Sequence, residues 1–370
     1  SAVHRSSVTK ARSNVDWKIF QGIFRKAVDL AYELWPENDS RFLWHGMTVY
    51  AVDGSKYDLP ATKEIREEFD PRSGLEHSGR GHFPQCLVST VFDVFRRIPI
   101  ARSIASFNSS EREEFKGLLP QIPIKSLLLF DRGFPSYELI SLLIETFTGH
   151  FIFRCPAKST FPAVEEFVKS GKSEEIIQIL PSNKIVAKTP YEQRKKLNAL
   201  KLRAIRLVSP DGIVSVLLTS LHDKNKYDAQ SIIWLYFRRW EIEVYYRDEK
   251  CTLEIEKFHS RTANGIRQEL FAAMIMTIIT RTMMILSSDF SQRREGEPQF
   301  KHAIDVMASE AVFLVPHDPE KAVEIFTSIL EEIARVRLYR AKHQRQSMPR
   351  VSKKPINKWA ESKSRKVKNA

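Results

Sequence analysis

Trp234-Leu235-Tyr236-Phe237-Arg238-Arg239-Trp240-Glu241-Ile242-Glu243-Val244-Tyr245-Tyr246-Arg247-Asp248-Glu249-Lys250 carries Tyr236, Arg239, Glu243 and Lys250 at the spacing Y-x2-R-x3-E-x6-K. Steps of three, four and seven residues return to one side of a helix that turns every 3.6 residues. At about 100° per residue the four side chains fall within an arc of roughly 60°. One carboxylate is therefore flanked by two cations and a phenol on a single stripe. Trp240 and Arg247 lie close to that stripe and add a ring and a third cation. Leu235, Ile242, Tyr246 and Leu253 form an apolar stripe beside it, which puts Glu243 at the edge of the buried face. Charges at this spacing also make ordinary solvated helix faces with weak ion pairs. A lone acid among bases nevertheless suits a site that holds both metal and phosphate.

The spacing resembles the Y-R-E-K signature of bacterial insertion-sequence transposases of the IS-four family, which belong to the DDE class. Two aspartates should then lie upstream, each at the end of a buried strand. Thr48-Val49-Tyr50-Ala51-Val52 runs into Asp53-Gly54-Ser55, and Ser126-Leu127-Leu128-Leu129-Phe130 runs into Asp131-Arg132-Gly133. Continuous apolar runs of this length read as strands covered on both faces. The glycine after each acid reads as a place where the backbone turns sharply. The resemblance extends from about Trp44 to Met284. Trp44-His45-Gly46 and Leu59-Pro60 flank the first aspartate, while Phe258-His259-Ser260-Arg261-Thr262 and Gln268-Glu269 follow the third acid.

The resemblance implies that Asp53, Asp131 and Glu243 are the catalytic acids. They would hold two divalent ions, Mg²⁺ with Mn²⁺ as a substitute, since oxygen ligands suit hard cations. It also implies that Tyr236, Arg239 and Lys250, with Arg247 and Trp240 beside them, bind DNA. The expected reaction is cut-and-paste transposition by phosphodiester hydrolysis and transesterification, with a hairpin step in some relatives. The expected partners are double-stranded DNA at the transposon ends, target DNA and a second copy of the chain in a homodimeric synapse. No nucleotide hydrolysis is needed, and Gly171-Lys172-Ser173 lacks the upstream glycine of a P-loop, position 166 being Glu. Residues 156 to 227 contain no tryptophan. Phe161, Phe167, Tyr191 and Tyr227 are the only aromatics there to stack a hairpin base, and burial preference assigns them to packing. Two other readings keep the fold: a catalytically silent DNA-binding derivative or regulator, and a different ribonuclease-H-like nuclease.

Composition bounds the rest. The chain has 370 residues, 42% hydrophobic and 28% charged, as expected of a globular protein of two or three domains. Its net charge of +13 sits almost wholly at one end. Arg335 to Ala370 holds thirteen Lys/Arg against one acid, Glu361, and the remainder is nearly balanced. Such a tail should be disordered when free and should contact DNA phosphates non-specifically. Cys86, Cys155 and Cys251 have no paired spacing and no secretory signal is evident, which points to a reducing compartment; the resemblance implies that this is the bacterial cytoplasm, on the nucleoid when bound to DNA. Leu270 to Leu286 is apolar, but Arg281 and several threonines mark it as a core helix rather than a membrane span. The chain begins at Ser1 without a methionine, so a missing leading segment is an expectation, and the resemblance implies that sequence-specific DNA binding lies ahead of the core.

The order strand–strand–strand–helix–strand–helix–strand predicts an α/β, ribonuclease-H-like mixed five-stranded sheet with flanking helices. Residues 1–43 read as a helical lead-in. Residues 44–155 and 228–290 form the catalytic core, interrupted by a β-rich insertion at 156–227 that is too long for a plain loop. Residues 291–338 are helical, and 339–370 are the basic tail. The helix bearing Glu243 is expected to run unbroken from about Ala229 to Lys250.

Overall fold

The computed structural model describes residues 10–74, 83–209, 212–292, 295–310 and 318–339. Helix α1 (Trp17–Glu33), capped by Asp16 on the Lys18 amide, precedes strand β1 (Thr48–Asp58). Then come α2 (Lys63–Phe69), β2 (Gln85–Asp93), β3 (Ile98–Ser106), α3 (Glu111–Leu118), β4 (Ser126–Phe130), α4 (Tyr137–Thr146) and β5 (His150–Pro156). These five strands lie in the order β3-β2-β1-β4-β5. The β1–β2 and β2–β3 pairs are antiparallel, whereas β1–β4 and β4–β5 are parallel. This is the ribonuclease-H-like sheet.

Both faces of the sheet are covered, which is why its central strands read as unbroken apolar runs. Side chains alternate between faces along a strand. Tyr50, Val52, Leu128 and Phe130 enter one core, with Phe24 of α1, Phe115 of α3 and Leu139 of α4. Val49, Ala51, Leu127 and Leu129 enter the other, with Leu235, Ile242 and Tyr246.

The 156–227 segment forms α5 (Pro162–Lys169), β6 (Glu174–Ile179), α6 (Asn183–Lys188), β7 (Leu200–Val208) and β8 (Val214–Thr219). Its strands do not make a sheet of their own. They continue the five-stranded sheet as β5-β8-β7-β6, giving eight strands, because β8 pairs antiparallel with β5 from Ile152↔Thr219 to Pro156↔Ser215. Arg203 of β7, fully buried, binds Glu174 of β6 and donates to the carbonyls of Leu221 and Tyr227, the latter two residues before the next helix.

That next helix is not the single rod expected from Ala229 to Lys250. It consists of α7 (Ala229–Phe237), α8 (Trp240–Arg247) and a π-helical turn at Asp248–Thr252. Hydrogen bonds from the amides of Arg238, Arg239, Glu241 and Ile242 to the carbonyls three residues back tighten the junction. Helical backbone angles persist through it, so Arg239 and Glu243 still share a face.

Helix α9 (Ala263–Ser291) is long and apolar enough to cross a bilayer, but most of it is buried against α1, α10 (Phe300–Glu310) and α11 (Pro319–Arg335). Met283 and Met284 pack with Phe300, Ile329 and Ile333, and the buried Arg281 pairs with Asp248. The basic tail beyond Tyr339 lies outside the described residues.

Candidate active site

Asp53 and Asp131 become neighbours through strand register. The parallel β1–β4 ladder ends at Val52↔Phe130, so each aspartate is the next residue on its own chain. Asp131 begins a turn closed by the Phe134 amide on its carbonyl (3.1 Å). β1 instead continues along β2, with Asp53 opposite Thr90. By strand alternation both acids sit on the face covered by α7 and α8. Two buried tyrosines of those helices fix the backbone beside them. Tyr246 donates to the Asp53 carbonyl (2.8 Å), and Tyr236 to the Phe130 carbonyl (3.4 Å).

Glu243 joins them through Arg239. The guanidinium donates from Nη2 to Glu243 Oε1 (2.6 Å), while Nη1 lies 3.9 Å from Asp53 Oδ2. Arg239 is only 5% exposed, and its Nε and Nη1 are buried without hydrogen-bond partners. A buried guanidinium is tolerable only with anions beside it, and here one cation spans the two acids. Asp131 Oδ1 is likewise buried with no donor. Burial pushes the Asp53 carboxyl up to about 7. Arg239 and the Gly54 amide oppose that shift, and Glu111 and Asp131 add to it.

The donor set is all oxygen and suits a hard divalent cation, and the orphaned Asp131 oxygen is of the kind that an ion satisfies. The cage is not closed as it stands. Among the described residues no three His, Cys, Asp or Glu side chains are grouped to hold a metal, and the Arg239 guanidinium stands between Asp53 and Glu243.

The other stripe residues divide by exposure. Trp240 is 62% exposed and Arg247 is also exposed, so both face solvent. Tyr236 is buried, with its hydroxyl turned to the strand end rather than to open solvent. Lys250 reaches back to the Lys56 carbonyl, 4.5 Å above the Tyr57 ring and 3.5 Å from Glu256. In the insertion, Phe161, Phe167 and Tyr227 are core residues, whereas Tyr191 is 81% exposed.

Two groups near the acids have no counterpart in the sequence reading. Glu111, the first residue of α3, lies over Gly54. A β-carbon on Gly54 would come within 2.7 Å of its carboxyl group, and one on Gly133 would stand 3.8 Å from its Oε2. Gly54 is inside a continuing strand, and neither glycine has a left-handed φ. The sharp turn expected at Gly54 is therefore absent, and the missing side chain makes room for Glu111 instead. The second group is a buried pair beneath α8. Arg102 of β3 binds both oxygens of Glu249 (3.0 and 2.9 Å), and Tyr57 and Tyr245 donate to the same carboxylate. Both charged side chains are 0% exposed.

Residues 44–279 match the family model described as the transposase DDE domain. The chain is 27% identical over 288 residues to transposase InsG for insertion sequence element IS4 of Escherichia coli (strain K12), covering 76% of this chain and 61% of that protein. It is 28% identical over 140 residues to the putative transposase InsZ of the same organism, covering 38% of this chain and 45% of that one. It is 37% identical over 82 residues to the putative transposase y4zB of Sinorhizobium fredii (strain NBRC 101917 / NGR234), covering 22% of each. The chain thus spans less than two thirds of the length of these relatives. Among solved structures, the piggyBac transposase in a synaptic complex with hairpin DNA aligns at a TM-score of 0.43 and 12% identity, over 76% of this chain and 57% of that one. With the family match covering more than half of its residues, around acids set at adjoining strand ends, the chain belongs to the DDE transposases of the IS4 family.

Proposed function

We propose that this chain is a transposase that cleaves DNA at the ends of an insertion sequence and joins the freed ends to target DNA. One observation carries the reading: Asp53 and Asp131 leave adjoining parallel strands at one level, and Glu243 is tied to Asp53 through a single guanidinium. Asp53, Asp131 and Glu243 are the residues that would hold two divalent ions, Mg²⁺ or its substitute Mn²⁺. When bound, such ions stabilise charge on the attacking and leaving oxygens of a phosphodiester.

The chain's own residues do the rest. Arg239 has two unsatisfied nitrogens in the pocket, a good fit for a phosphate oxygen. A phosphate taking the guanidinium would loosen its hold on Glu243 and leave that carboxylate free for an ion. Trp240 and Arg247 would meet the DNA from the exposed side of α8, and Tyr236 would keep the end of β4 in place. Bringing two transposon ends together calls for a second copy of the chain, and the setting would be the bacterial cytoplasm.

The test is cleavage of a duplex carrying the inverted repeats that bound the chain's own element, with Mg²⁺. Asp131→Ala should abolish cleavage and leave DNA binding intact. Cleavage retained in that variant would overturn the assignment.

A further inference from the structure

We propose that Arg154 binds a DNA phosphate in the active site, on the side of Asp131 away from Asp53. The proposal rests on the reading of those acids given above, and its own basis is strand register. The parallel ladders form one row, Val52↔Phe130 and Phe130↔Phe153, so Asp53, Asp131 and Arg154 are each the next residue on three neighbouring strands. Neighbouring strands lie about 4.8 Å apart, so the three stand side by side at one level. Alternation also puts them on one face. Asp53 has the parity of Val49 and Ala51, Asp131 that of Leu127 and Leu129, and Arg154 that of Ile152, and all of these guides enter the core shared with Leu235 and Ile242. Tyr236 of α7 meets the row from that side. Burial pushes its phenol up, Arg239 and Arg154 oppose the shift, and Asp131 adds to it.

Arg154 is a cation without an anion. Among the described residues its guanidinium forms no ion pair, and its sole hydrogen bond runs from Nε to Ser215 Oγ (3.3 Å). Ser215 is buried on β8, two residues before Leu217, which pairs with Arg154, so the inserted strand holds the arginine from the same face. That grip leaves both terminal nitrogens available, and their planar fork matches two oxygens of a phosphate. Arg154 does not serve to neutralise Asp131, whose Oδ1 is buried with no hydrogen-bond partner although the arginine stands on the adjoining strand. Asp53 and Glu243 already share a cation, Arg239, on the other side. Arg239 in turn keeps Nε and Nη1 without partners. A phosphodiester lying over Asp131 would therefore meet one guanidinium from each side. Partly buried cations left without a counter-charge are unfavourable until an anion arrives, and the DNA backbone supplies that anion.

Binding of a duplex carrying the element's inverted repeat, followed by fluorescence anisotropy with EDTA present, tests this without recourse to turnover. Wild type, Arg154→Gln and Arg154→Met (a second neutral chain) are titrated over a range of salt, and circular dichroism confirms that each is folded. Each substitution should weaken binding about tenfold, the low end for hydrogen bonds to a charged group. Each should also lower the slope of log affinity against log salt by about one, the loss of one phosphate contact. A merely structural role would weaken binding without moving that slope. The contact is located with a duplex whose phosphate at the element boundary is replaced by a neutral methylphosphonate. Wild type should bind that duplex more weakly, whereas the Arg154 variants should lose nothing beyond their own deficit. An unchanged slope in the folded variants, or a further full loss on the neutral linkage, overturns the proposal. Cleavage in Mg²⁺ judges the acids separately. If Asp131→Ala no longer cuts while the Arg154 slope is unchanged, the acids stand and Arg154 falls; if Asp131→Ala still cuts, the reading of the acids fails.

Discussion

Arg102 and Glu249 offer the sharpest energetic test of how the third acid is held. Glu249 lies six residues after Glu243, on the π-helical turn, and its carboxylate is fully buried. Arg102 binds both of its oxygens, and the hydroxyls of Tyr57 and Tyr245 complete the shell. Arg102→Met removes the cation bound to this carboxylate and strands a buried anion, which typically costs about 3–5 kcal/mol. Glu249→Leu strands the guanidinium instead and should cost a similar amount. Replacing both leaves a neutral apolar pair, so the double variant should recover much of the loss, with a coupling of about 2 kcal/mol or more. Because a domain of this kind has roughly 5–15 kcal/mol in total, either single change should be plain in urea-induced unfolding followed by circular dichroism. Near-additive losses, or a cost below about 1 kcal/mol for Arg102→Met, would refute the view that this pair acts as a unit that clamps the end of α8 to β3.

The other predictions concern pH and salt. The Asp53 carboxyl is raised from an ordinary 3.8 to about 7 by burial, so between those values the folded protein binds the proton that the unfolded chain has released. Metal-free stability should therefore fall as pH rises from about 4 to 7, by up to about 1.4 kcal/mol per unit, and should stop responding to this group above 7. Urea midpoints of wild type against Asp53→Asn measure it; a wild-type curve that climbs relative to the variant across that window has the wrong sign. Deleting residues 340–370, a polybasic stretch, should weaken DNA binding to all sequences and make the plot of log affinity against log salt shallower. An unchanged slope in a fluorescence-anisotropy titration would mean that the tail does not touch phosphates.

Much of the scaffold is legible in the residues because its determinants are local. Runs such as Val49–Val52 and Leu127–Phe130 are apolar without interruption since helices cover both faces, and the acid after each run marks the point where the parallel ladder stops. The helical stripe likewise preserves the contact of Arg239 with Glu243 across a junction that no proline or glycine announces. The remainder depends on contacts distant in sequence. Glu111 reads as a dipole-complementing acid at a helix start, and only the packing of α3 brings its carboxyl over Gly54. The pairing of β8 with β5 leaves no periodic trace that distinguishes a detached hairpin from an extension of the sheet. Arg102 looks like one more strand-borne cation until Glu249 is placed beneath α8.

The continuity of β5 through β8, β7 and β6 has a consequence for how this lineage can vary. A detached appendage could gain or lose residues anywhere, but strands hydrogen-bonded into a shared sheet cannot, because a one-residue slip turns every side chain to the wrong face. Length changes should therefore collect where the ladder is open, between Ile179 and Leu200 and between Val208 and Val214, and avoid the strands themselves. The same pairing means that whatever touches this arm meets strands of the one sheet whose β1 and β4 carry Asp53 and Asp131 at their ends.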